Sequence, residues 1–291
     1  MLPVYLFALI LFLWGLASTP VTIALAQKFR LLDKPGGRKK HATIMPRGAG
    51  LALWSGYLIW ALFSPNPGVE VRLVATGASL VFVVGYMDDM HPLPSLMRLV
   101  FHLAAALWVV YPLPVPLWQR LLLTLWIAGA TSAYNFIDGM DGLCLTMTFL
   151  TTLMAVIFAG SPVVWLPLSG LVFGVFAWNF PSPRTFLGDG GSTFLGYICA
   201  SHLTWSLFPT FFQKGIFFML LALLLMGGVP VLDTLIAMTR RIFTGRSPFT
   251  PDRGHAHHKL LDAGLPKTAT LAVIGCVHIF MLFTSYRFLG L

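Results

Sequence analysis

The sequence has few charged residues. Asp, Glu, Lys and Arg make up 10% of its 291 residues, against about 25% in an average soluble domain. Hydrophobic residues make up 57%, and the mean hydropathy is +0.81. This shortage of charge argues against a soluble multidomain enzyme and against a disordered chain. Because a helix needs about 20 apolar residues to cross a bilayer, we predict an all-α, polytopic integral membrane protein that forms one transmembrane domain over residues 1–291.

Cysteine is scarce too. Cys144, Cys199 and Cys276 all have apolar neighbours in the sequence, which indicates small buried hydrophobes rather than disulfides or metal ligands. No basic stretch precedes the first apolar segment, and Lys28 and Arg30 follow it. A cleaved signal peptide is therefore not expected, and the N-terminus is predicted to lie outside.

Apolar segments separated by proline- and glycine-rich breaks predict about ten transmembrane helices. They lie near residues 2–26, 48–63, 69–87, 96–111, 117–134, 143–159, 162–180, 193–209, 215–241 and 268–289. The ninth segment contains Gly227-Gly228-Val229-Pro230. This tetrapeptide predicts either one kinked helix or two shorter helices, which would raise the number to eleven.

Acidic residues are fewer than basic ones, 10 against 19, and the net charge is +9. In a membrane protein this balance is typical of basic cytoplasmic loops, and no nucleic-acid partner is predicted. With the N-terminus outside, the Lys and Arg residues map to the cytoplasmic side except for Arg72, Arg120, Lys214 and Arg287. The predicted location is the cytoplasmic (inner) cell membrane, which the chain crosses many times.

The carboxylates share that predicted side of the membrane. Those at cytoplasmic loops or helix ends are Asp33, Asp88, Asp89, Asp138, Asp141, Asp189, Asp252 and Asp262. Asp233 lies toward the same face within the ninth segment, and only Glu70 lies outside. Because a transporter with an ion path is expected to carry carboxylates near the bilayer midplane, we favour an enzyme with its active site on the cytoplasmic face. A transporter or flippase for an anionic lipid-linked solute is the alternative.

Two aspartate motifs follow predicted helices. Asp88-Asp89 ends the third helix, and adjacent carboxylates repel each other unless a cation bridges them or one is protonated. The pair therefore indicates Mg²⁺ binding or activation of a phosphate nucleophile, with a solvated helix end as the alternative. The fifth helix is followed by Asn135-Phe136-Ile137-Asp138-Gly139-Met140-Asp141-Gly142. Its glycines predict a compact loop with converging oxygen atoms.

Two further motifs carry glycine or histidine. Phe186-Leu187-Gly188-Asp189-Gly190-Gly191-Ser192 precedes the eighth helix, whose N-terminus can receive a phosphate while Asp189 holds a divalent cation. In the last cytoplasmic loop, His255-Ala256-His257-His258 follows Pro251-Asp252-Arg253. No cysteine lies near it and its spacing is not that of a zinc finger. We therefore favour a phosphate-binding cluster over a zinc site or a solvated loop.

The first cytoplasmic loop is strongly basic. It reads Asp33-Lys34-Pro35-Gly36-Gly37-Arg38-Lys39-Lys40-His41, followed by Pro46-Arg47-Gly48. A polybasic run beside a membrane attracts anionic lipid headgroups in general. The Pro-Arg-Gly turn that enters the second helix indicates a more specific anion contact at Arg47.

Together these five segments resemble the polyprenyl-phosphate N-acetylhexosamine-1-phosphate transferases. That superfamily includes the enzyme that forms lipid I for peptidoglycan and those that start O-antigen and teichoic-acid synthesis. The match runs in order from Asp33 to His258. It implies transfer of a hexosamine 1-phosphate, GlcNAc 1-phosphate above all, from a UDP-sugar to undecaprenyl or another polyprenyl phosphate, with release of UMP. The implied cofactor is Mg²⁺, or Mn²⁺ in its place, and family analogy implies a homodimer.

The resemblance also implies roles for individual residues. Metal binding is implied for Asp189, together with Asp88 or Asp89. The residues implied to be catalytic are Asp88, Asp89, Asp138, Asp141, His255, His257 and His258. Those expected to bind the substrates are His41, Arg47, Arg98, Asn135, Asn179, Phe186, Asp252 and Arg253. Among them, Phe186 matches an aromatic residue that stacks on uracil, and Arg98 matches a basic residue that faces the lipid phosphate.

The sequence departs from the family pattern at three places. Ser132 stands where many members have an Asn associated with uridine, and Ala49 interrupts the usual Gly-Gly after Pro-Arg. The histidine motif lacks the downstream Glu of the lipid I enzyme, and the Pro-Asp-Arg before it resembles the branch that uses UDP-GlcNAc or a related small sugar.

Two mechanisms and one other enzyme class remain open. We favour direct attack of the lipid phosphate on the sugar-linked phosphorus, with Asp88 assisting deprotonation. A covalent aspartyl intermediate is the alternative. A CDP-alcohol phosphotransferase is a weaker alternative, because the Ala-Arg and the later aspartates of its motif are missing after Asp138-Gly139.

Overall fold

The computed structural model describes residues 2–33, 44–64, 68–160, 162–212, 215–247 and 254–291, without the side chains of Leu2, Phe211 and Phe212. Three residues expected to bind substrate, His41, Asp252 and Arg253, lie outside the described residues. Their roles stay predictions.

The described residues are almost entirely helical, which confirms the predicted all-α class. The helices are α1 (Leu2–Lys28), α2 (Ala49–Phe63), α3 (Val69–Met90), α4 (Ser95–Val110), α5 (Leu117–Ile137), α6 (Leu143–Phe158), α7 (Pro162–Asn179), α8 (Gly188–Phe212), α9 (Ile216–Phe243), α10 (Ala256–Asp262) and α11 (Lys267–Leu289). Two short strands, β1 (Leu32–Asp33) and β2 (Met45–Pro46), pair antiparallel ahead of α2. Helices dominate because a backbone in lipid must satisfy its own hydrogen bonds.

Several helices have the length and composition of membrane spans. In the described part of the chain, α1, α3, α7, α9 and α11 are long and apolar enough to cross a bilayer, and α2, α4 and α6 are shorter apolar helices. The protein is therefore integral to a membrane. The number of crossings, the orientation, the single domain and the inner-membrane location stay predictions.

Helix α8 lies at the centre of the fold and contacts each of α2 to α6. Phe194, Tyr197 and Ile198 on this helix are completely buried. The Tyr197 hydroxyl donates a hydrogen bond to the Ala105 carbonyl oxygen over 2.8 Å, which satisfies a polar group that would be costly to bury alone. Packing on all sides holds the first turn of α8, where Asp189 lies, in one place.

Two glycines bring α2 and α3 against that first turn. A Cβ atom at Gly85 of α3 would lie 2.7 Å from the Asp189 carbonyl oxygen, and one at Gly50 of α2 would lie 2.7 Å from the Gly191 Cα. Any side chain at either position would push the helices apart. The glycines therefore set the short distance between the end of α3, with Asp88 and Asp89, and the beginning of α8.

Helix α9 is broken in the middle, within the tetrapeptide that predicts either one kinked helix or two shorter helices. Gly228 has φ 59° and ψ −153°, outside the helical region, and this conformation suits glycine. After the break, the Val229 N–H donates to Nδ1 of His278 over 3.2 Å. Nε2 of the same ring lies 2.9 Å from the Thr151 hydroxyl. Because Nδ1 accepts, the proton of the neutral ring belongs on Nε2, which donates to Thr151.

We expect His278→Phe to destabilise the fold. The phenyl ring keeps the shape but leaves the Val229 N–H and the Thr151 hydroxyl without this partner, and a buried unsatisfied group costs about 1–3 kcal/mol. His278→Asn retains an acceptor and a donor and should lose less. Thermal unfolding in detergent measures the difference. Equal midpoints for the two variants would contradict a hydrogen-bonding role for His278 at the break.

Candidate active site

Helix ends converge on a cavity of about 440 Å³, called here the polar cavity. Its lining comes from the loop after α5, the segment that leads into α8, the strand region and the helices α10 and α11. The lining residues are Asp33, Arg47, Asn135, Asp138, Gly139, Met140, Asp141, Asn179, Phe186, Leu187, Gly188, Asp189, His258, Leu261 and Lys267. The structure thus brings together four of the aspartates that the sequence places on one face.

Asp89 closes the N-terminus of α8. Its Oδ1 accepts the Asp189 N–H over 3.0 Å, its Oδ2 accepts the Gly190 N–H over 3.1 Å, and Arg47 Nη1 donates to Oδ1 over 2.7 Å. A carboxylate is favourable there because the first N–H groups of a helix have no partner in the helix. The Asp89 side chain is only 2% exposed. These contacts favour a positioning role for Asp89 and leave Asp88 as the member of the pair better placed to hold a metal.

Arg47 joins two of the predicted motifs. Besides Asp89, its guanidinium contacts Asp33 Oδ1 through Nη2 over 2.5 Å. Burial alone lowers the pKa of Arg47, but the charges of Asp89 and Asp33 outweigh this and raise it, so the side chain stays cationic. Arg47 therefore connects the strand region to the ends of α3 and α8.

Arg98 bridges the carboxylates of Asp88 and Asp189. Its Nη1 lies 2.7 Å from Asp88 Oδ2 and 2.9 Å from Asp189 Oδ2. The two carboxyl groups also interact directly with each other. The Asp189 side chain is 33% exposed, against 9% for Asp88, and Asp189 lines the polar cavity while Asp88 does not. Asp189 is thus the carboxylate of this group that a substrate entering the cavity meets first.

The Asp88 and Asp189 pair fits a magnesium site of the open kind. Among the described residues, no three His, Cys, Asp or Glu side chains gather closely enough to enclose a metal. Mg²⁺ is usually held by one or two carboxylates, with water and substrate phosphates completing the octahedron. The carboxylates of Asp88 and Asp189 lie close enough to share the positive charge of Arg98, and such a pair is chemically suited to bind a metal cation.

Asp138 lies in the loop after α5 and is partly buried in the wall of the polar cavity. Burial raises its pKa well above the usual range, and the negative charges of Asp189, Asp89 and Asp141 raise it further. Just before it, Asn135 Nδ2 donates to Ser192 Oγ over 3.1 Å, which ties the end of α5 to α8. A cation in the cavity would favour the charged carboxylate of Asp138.

Asn179 organises two of the cavity loops. Its Oδ1 accepts the Gly142 N–H over 2.7 Å, and its Nδ2 donates to the Thr185 carbonyl oxygen over 2.8 Å. Phe186 follows that segment: its N–H donates to Pro46 O over 2.9 Å, and its carbonyl accepts the Ala49 N–H over 3.3 Å. Both residues line the cavity, and Asn179 also holds its walls together.

The histidine motif divides into one cavity residue and two buried ones. His258 lines the polar cavity, whereas His255 and His257 lie behind its lining, 6% and 1% exposed. His257 lies against Gly139 of the aspartate loop, where a Cβ would be only 2.6 Å from Nε2. Burial, together with the charges of the neighbouring histidines His258 and His255, lowers the pKa of His257 to about 3. The ring of His257 is therefore neutral.

Asp233 is a structural partner of that motif that the site predictions missed. Its Oδ2 lies 2.7 Å from His255 Nδ1, and its Oδ1 accepts the Ala256 N–H, the first of α10, over 2.9 Å. A lone carboxylate in the apolar ninth segment was the signal available in the sequence. Lys267 is a second missed residue: it lines the polar cavity, but nothing local distinguishes it from the other basic residues of its loop.

A second cavity of about 420 Å³, called here the apolar groove, opens beside the first. It runs between α4, α5 and α9, with lining residues of α9 on both sides of the break. Its lining residues include Arg98, Leu99, His102, Trp126, Gly129, Ala133, Asn135, Thr193, Val231, Leu235 and Met238. Arg98 is its cationic group, and Asn135 belongs to both cavities. Ser132 lies in this groove, with Oγ 3.1 Å from His102 Nδ1.

An all-helical membrane protein with a carboxylate-rich cavity joined to an apolar groove has the architecture expected of an enzyme that acts on a lipid and a polar substrate together. Residues 71–207 match the model of glycosyl transferase family 4. A Bacillus subtilis protein named "Probable undecaprenyl-phosphate N-acetylglucosaminyl 1-phosphate transferase" is 33% identical, over 89% of this chain and 77% of the relative. The chain therefore belongs to the polyprenyl-phosphate N-acetylhexosamine-1-phosphate transferase superfamily and is a phosphotransferase.

Two other relatives agree with that membership. A Mycobacterium tuberculosis decaprenyl-phosphate N-acetylglucosaminephosphotransferase is 31% identical, over 85% of this chain and 73% of its own length. The Escherichia coli K12 undecaprenyl-phosphate alpha-N-acetylglucosaminyl 1-phosphate transferase is 28% identical, over 86% and 74%. Family membership confirms the enzyme interpretation, and the transporter alternative is set aside.

Proposed function

We propose that this protein transfers GlcNAc 1-phosphate from UDP-GlcNAc to a polyprenyl phosphate, with release of UMP and dependence on Mg²⁺, as the first membrane step of a cell-envelope glycan. The observation that carries the proposal is the junction of the apolar groove with the polar cavity at Arg98 and Asn135. The names of the relatives support GlcNAc 1-phosphate and a polyprenyl phosphate as substrates.

The groove accounts for the lipid substrate. Its lining is overwhelmingly apolar, and Arg98 lies among the lining residues next to Asp88 and Asp189. A polyprenyl chain in the groove would be surrounded by apolar side chains, while its phosphate would reach the Arg98 guanidinium, a group suited to phosphate oxygens. The reacting end of the lipid would then lie at the edge of the polar cavity.

The polar cavity accounts for the nucleotide sugar. Phe186 offers an aromatic face for a base, as the resemblance implies for uracil, and Asn179 and Asn135 offer amide groups. The diphosphate would lie near Asp189, where Mg²⁺, when bound with Asp88, supplies the positive charge that lets two anionic reactants approach. His258 lines the same cavity.

The residues of this chain would then organise a direct transfer. Arg98 orients an oxygen of the lipid phosphate toward the phosphorus that carries the sugar, and Asp88 accepts a proton if the phosphate enters singly protonated. The new P–O bond forms as the bond to the UMP phosphate oxygen breaks, and UMP leaves with that electron pair. The product is a polyprenyl-diphospho-GlcNAc. A homodimer stays a prediction.

The decisive experiment is a donor screen with the purified protein. UDP-GlcNAc, its deoxy and galacto relatives and the muramyl-pentapeptide nucleotide are each supplied with undecaprenyl phosphate, with and without Mg²⁺, and UMP and lipid product are measured. The proposal expects UMP from UDP-GlcNAc only when both lipid and metal are present. Turnover confined to another donor would overturn the donor assignment. A stoichiometric UMP burst without lipid, with label retained on the protein, would replace direct transfer by a covalent intermediate.

Substitution of Gly129 tests the groove. Gly129 lines the groove, and a Cβ added there meets no heavy atom within 4 Å, so the side chain of Gly129→Leu would extend from an unobstructed position into the space assigned to the lipid. We expect the KM for undecaprenyl phosphate to rise by about tenfold or more, since displacing several methylene groups from an apolar site costs about 0.8 kcal/mol each. The KM for UDP-GlcNAc should stay unchanged.

Gly215→Leu is the matched control. Gly215 precedes α9, has φ −68° and also has open space around its Cβ position, but it does not line the groove. It should therefore leave both KM values as in the wild type. An unchanged lipid KM in the Gly129 variant would show that the lipid binds elsewhere.

A further inference from the structure

Lys267 stands at the rim of the polar cavity and holds one of its carboxylates. Its Nζ lies 2.5 Å from Asp141 Oδ2, and its side chain is 54% exposed. Asp141 belongs to the aspartate loop after α5, 126 residues away in the chain. The Asp141 side chain is 14% exposed, but solvent screens the half-exposed ammonium of Lys267. The pair therefore contributes only about 1 kcal/mol to stability, which is a weak structural reason for keeping it.

The position of Lys267 in its own helix gives no local reason for a cation either. Lys267 is the first residue of α11. The N-terminus of a helix carries partial positive charge, and a cation there is unfavourable by about 0.3–1 kcal/mol. The helix N-terminus and the Lys267 ammonium instead add their positive charges, and together they attract an anion.

The charge of the cavity makes this cation important for an anionic substrate. Asp33, Asp138, Asp141 and Asp189 line the polar cavity, whereas the Lys and Arg side chains in its described lining are Arg47 and Lys267. Arg47 lies between Asp33 and Asp89. Lys267 has a long flexible stem and three donors that can turn to a new acceptor.

We propose that Lys267 is an anion-binding residue of the donor site, whose ammonium moves from the Asp141 carboxylate to the diphosphate of the nucleotide sugar. The proposal rests on the proposed function, because it needs an anionic donor in the polar cavity. Without a donor, Lys267 and Asp141 neutralise each other. When the donor binds, the ammonium gains a doubly charged acceptor, and the freed Asp141 carboxylate turns toward other donors, such as the hydroxyl groups of the sugar.

The experiment compares UDP with uridine as inhibitors of transfer by Lys267→Met. Methionine keeps the length of the stem and removes the charge. The inhibition constant for UDP should rise at least about tenfold, the weakening expected when a charge-assisted hydrogen bond is lost, and that for uridine should not change. The KM for UDP-GlcNAc should rise with it, while the KM for undecaprenyl phosphate stays as in the wild type. Lys267→Arg should retain most of the affinity for UDP.

Lys259→Met is the control, because Lys259 is an exposed cation of α10 that does not line the cavity. It should leave the UDP inhibition constant unchanged. An equal loss in the Lys259 variant would show only a general effect of charge and would overturn the assignment, as would an unchanged UDP constant in Lys267→Met. A raised lipid KM alone would assign Lys267 to the acceptor and equally overturn it. Failure of the wild type to release UMP from UDP-GlcNAc would overturn the proposed function as well.

Discussion

Asp189→Asn is expected to lower the rate of transfer by about 10²–10³-fold, the loss typical when one preorganised electrostatic group is removed from an active site. Asp189 is the more exposed carboxylate of the pair that Arg98 bridges, and it lines the polar cavity. An amide has the same shape as the carboxylate but no negative charge with which to bind a divalent cation. Without that cation, the two anionic substrates repel each other. UMP release from UDP-GlcNAc with undecaprenyl phosphate measures the change.

The fold should survive this substitution. The Asp189 N–H donates to Asp89, which ties the first turn of α8 to α3, and this backbone contact stays in the variant. The Asp189 side chain contacts Arg98, and Arg98 keeps Asp88 as a partner. Thermal unfolding should therefore differ little from the wild type. The Mg²⁺ concentration needed for half-maximal rate should rise in the variant, which separates loss of metal binding from loss of a proton acceptor.

Asp262→Asn provides the matched control, since Asp262 is an exposed aspartate at the end of α10 that does not line the cavity. The same chemical change there should leave the rate and the Mg²⁺ requirement unaltered. Full turnover by Asp189→Asn would mean that the metal assignment is wrong.

Asp89→Ala is expected to destabilise the protein by about 3 kcal/mol, the lower end of the cost of removing one member of a buried ion pair. The substitution takes the hydrogen-bond acceptor from the Asp189 and Gly190 N–H groups and one of the two carboxylates from Arg47. The lower end applies because Arg47 is 24% exposed and keeps Asp33. Thermal unfolding in detergent measures the loss, and Asp89→Asn, which keeps an acceptor, should recover part of it.

The contrast with Asp141 isolates the role of Asp89 at the start of α8. Asp141→Ala removes a carboxylate from the same cavity, but its ion-pair partner Lys267 is 54% exposed and remains solvated. Its effect on stability should stay below about 1 kcal/mol. Equal losses in the two variants would contradict the interpretation that Asp89 acts as the cap of α8.

Sequence reasoning located most of the candidate site because the relevant residues stand at breaks between apolar segments. Asp138 and Asp189 follow or begin helices, and the structure brings them to one cavity with Phe186 and Asn179. Sequence reasoning could not assign different roles to Asp88 and Asp89. Adjacent residues on a helix point about 100° apart, so only the position of α8 decides which carboxylate caps a helix and which remains beside Arg98.

The partners of distant residues could not be predicted either. Asp233 holds His255 and the beginning of α10, and Lys267 reaches Asp141. For each pair, the sequence shows that two charged or polar residues are present, but it does not show that they lie close together in space. The apolar groove has the same origin, since its walls come from α4, α5 and both parts of α9, and no local sequence pattern shows that these helices leave a space between them.

The sequence by itself determined the helical membrane class, because long apolar runs must satisfy their backbone hydrogen bonds within helices, and it determined which few charged residues could carry chemistry. The tertiary structure decided how those charges are used. It places Asp89 at a helix end, Asp189 in a cavity, Lys267 on Asp141 and Arg98 where the cavity meets the groove. The physical reason is that the strength of a charge interaction depends on distance and burial, and packing between helices far apart in the chain sets both.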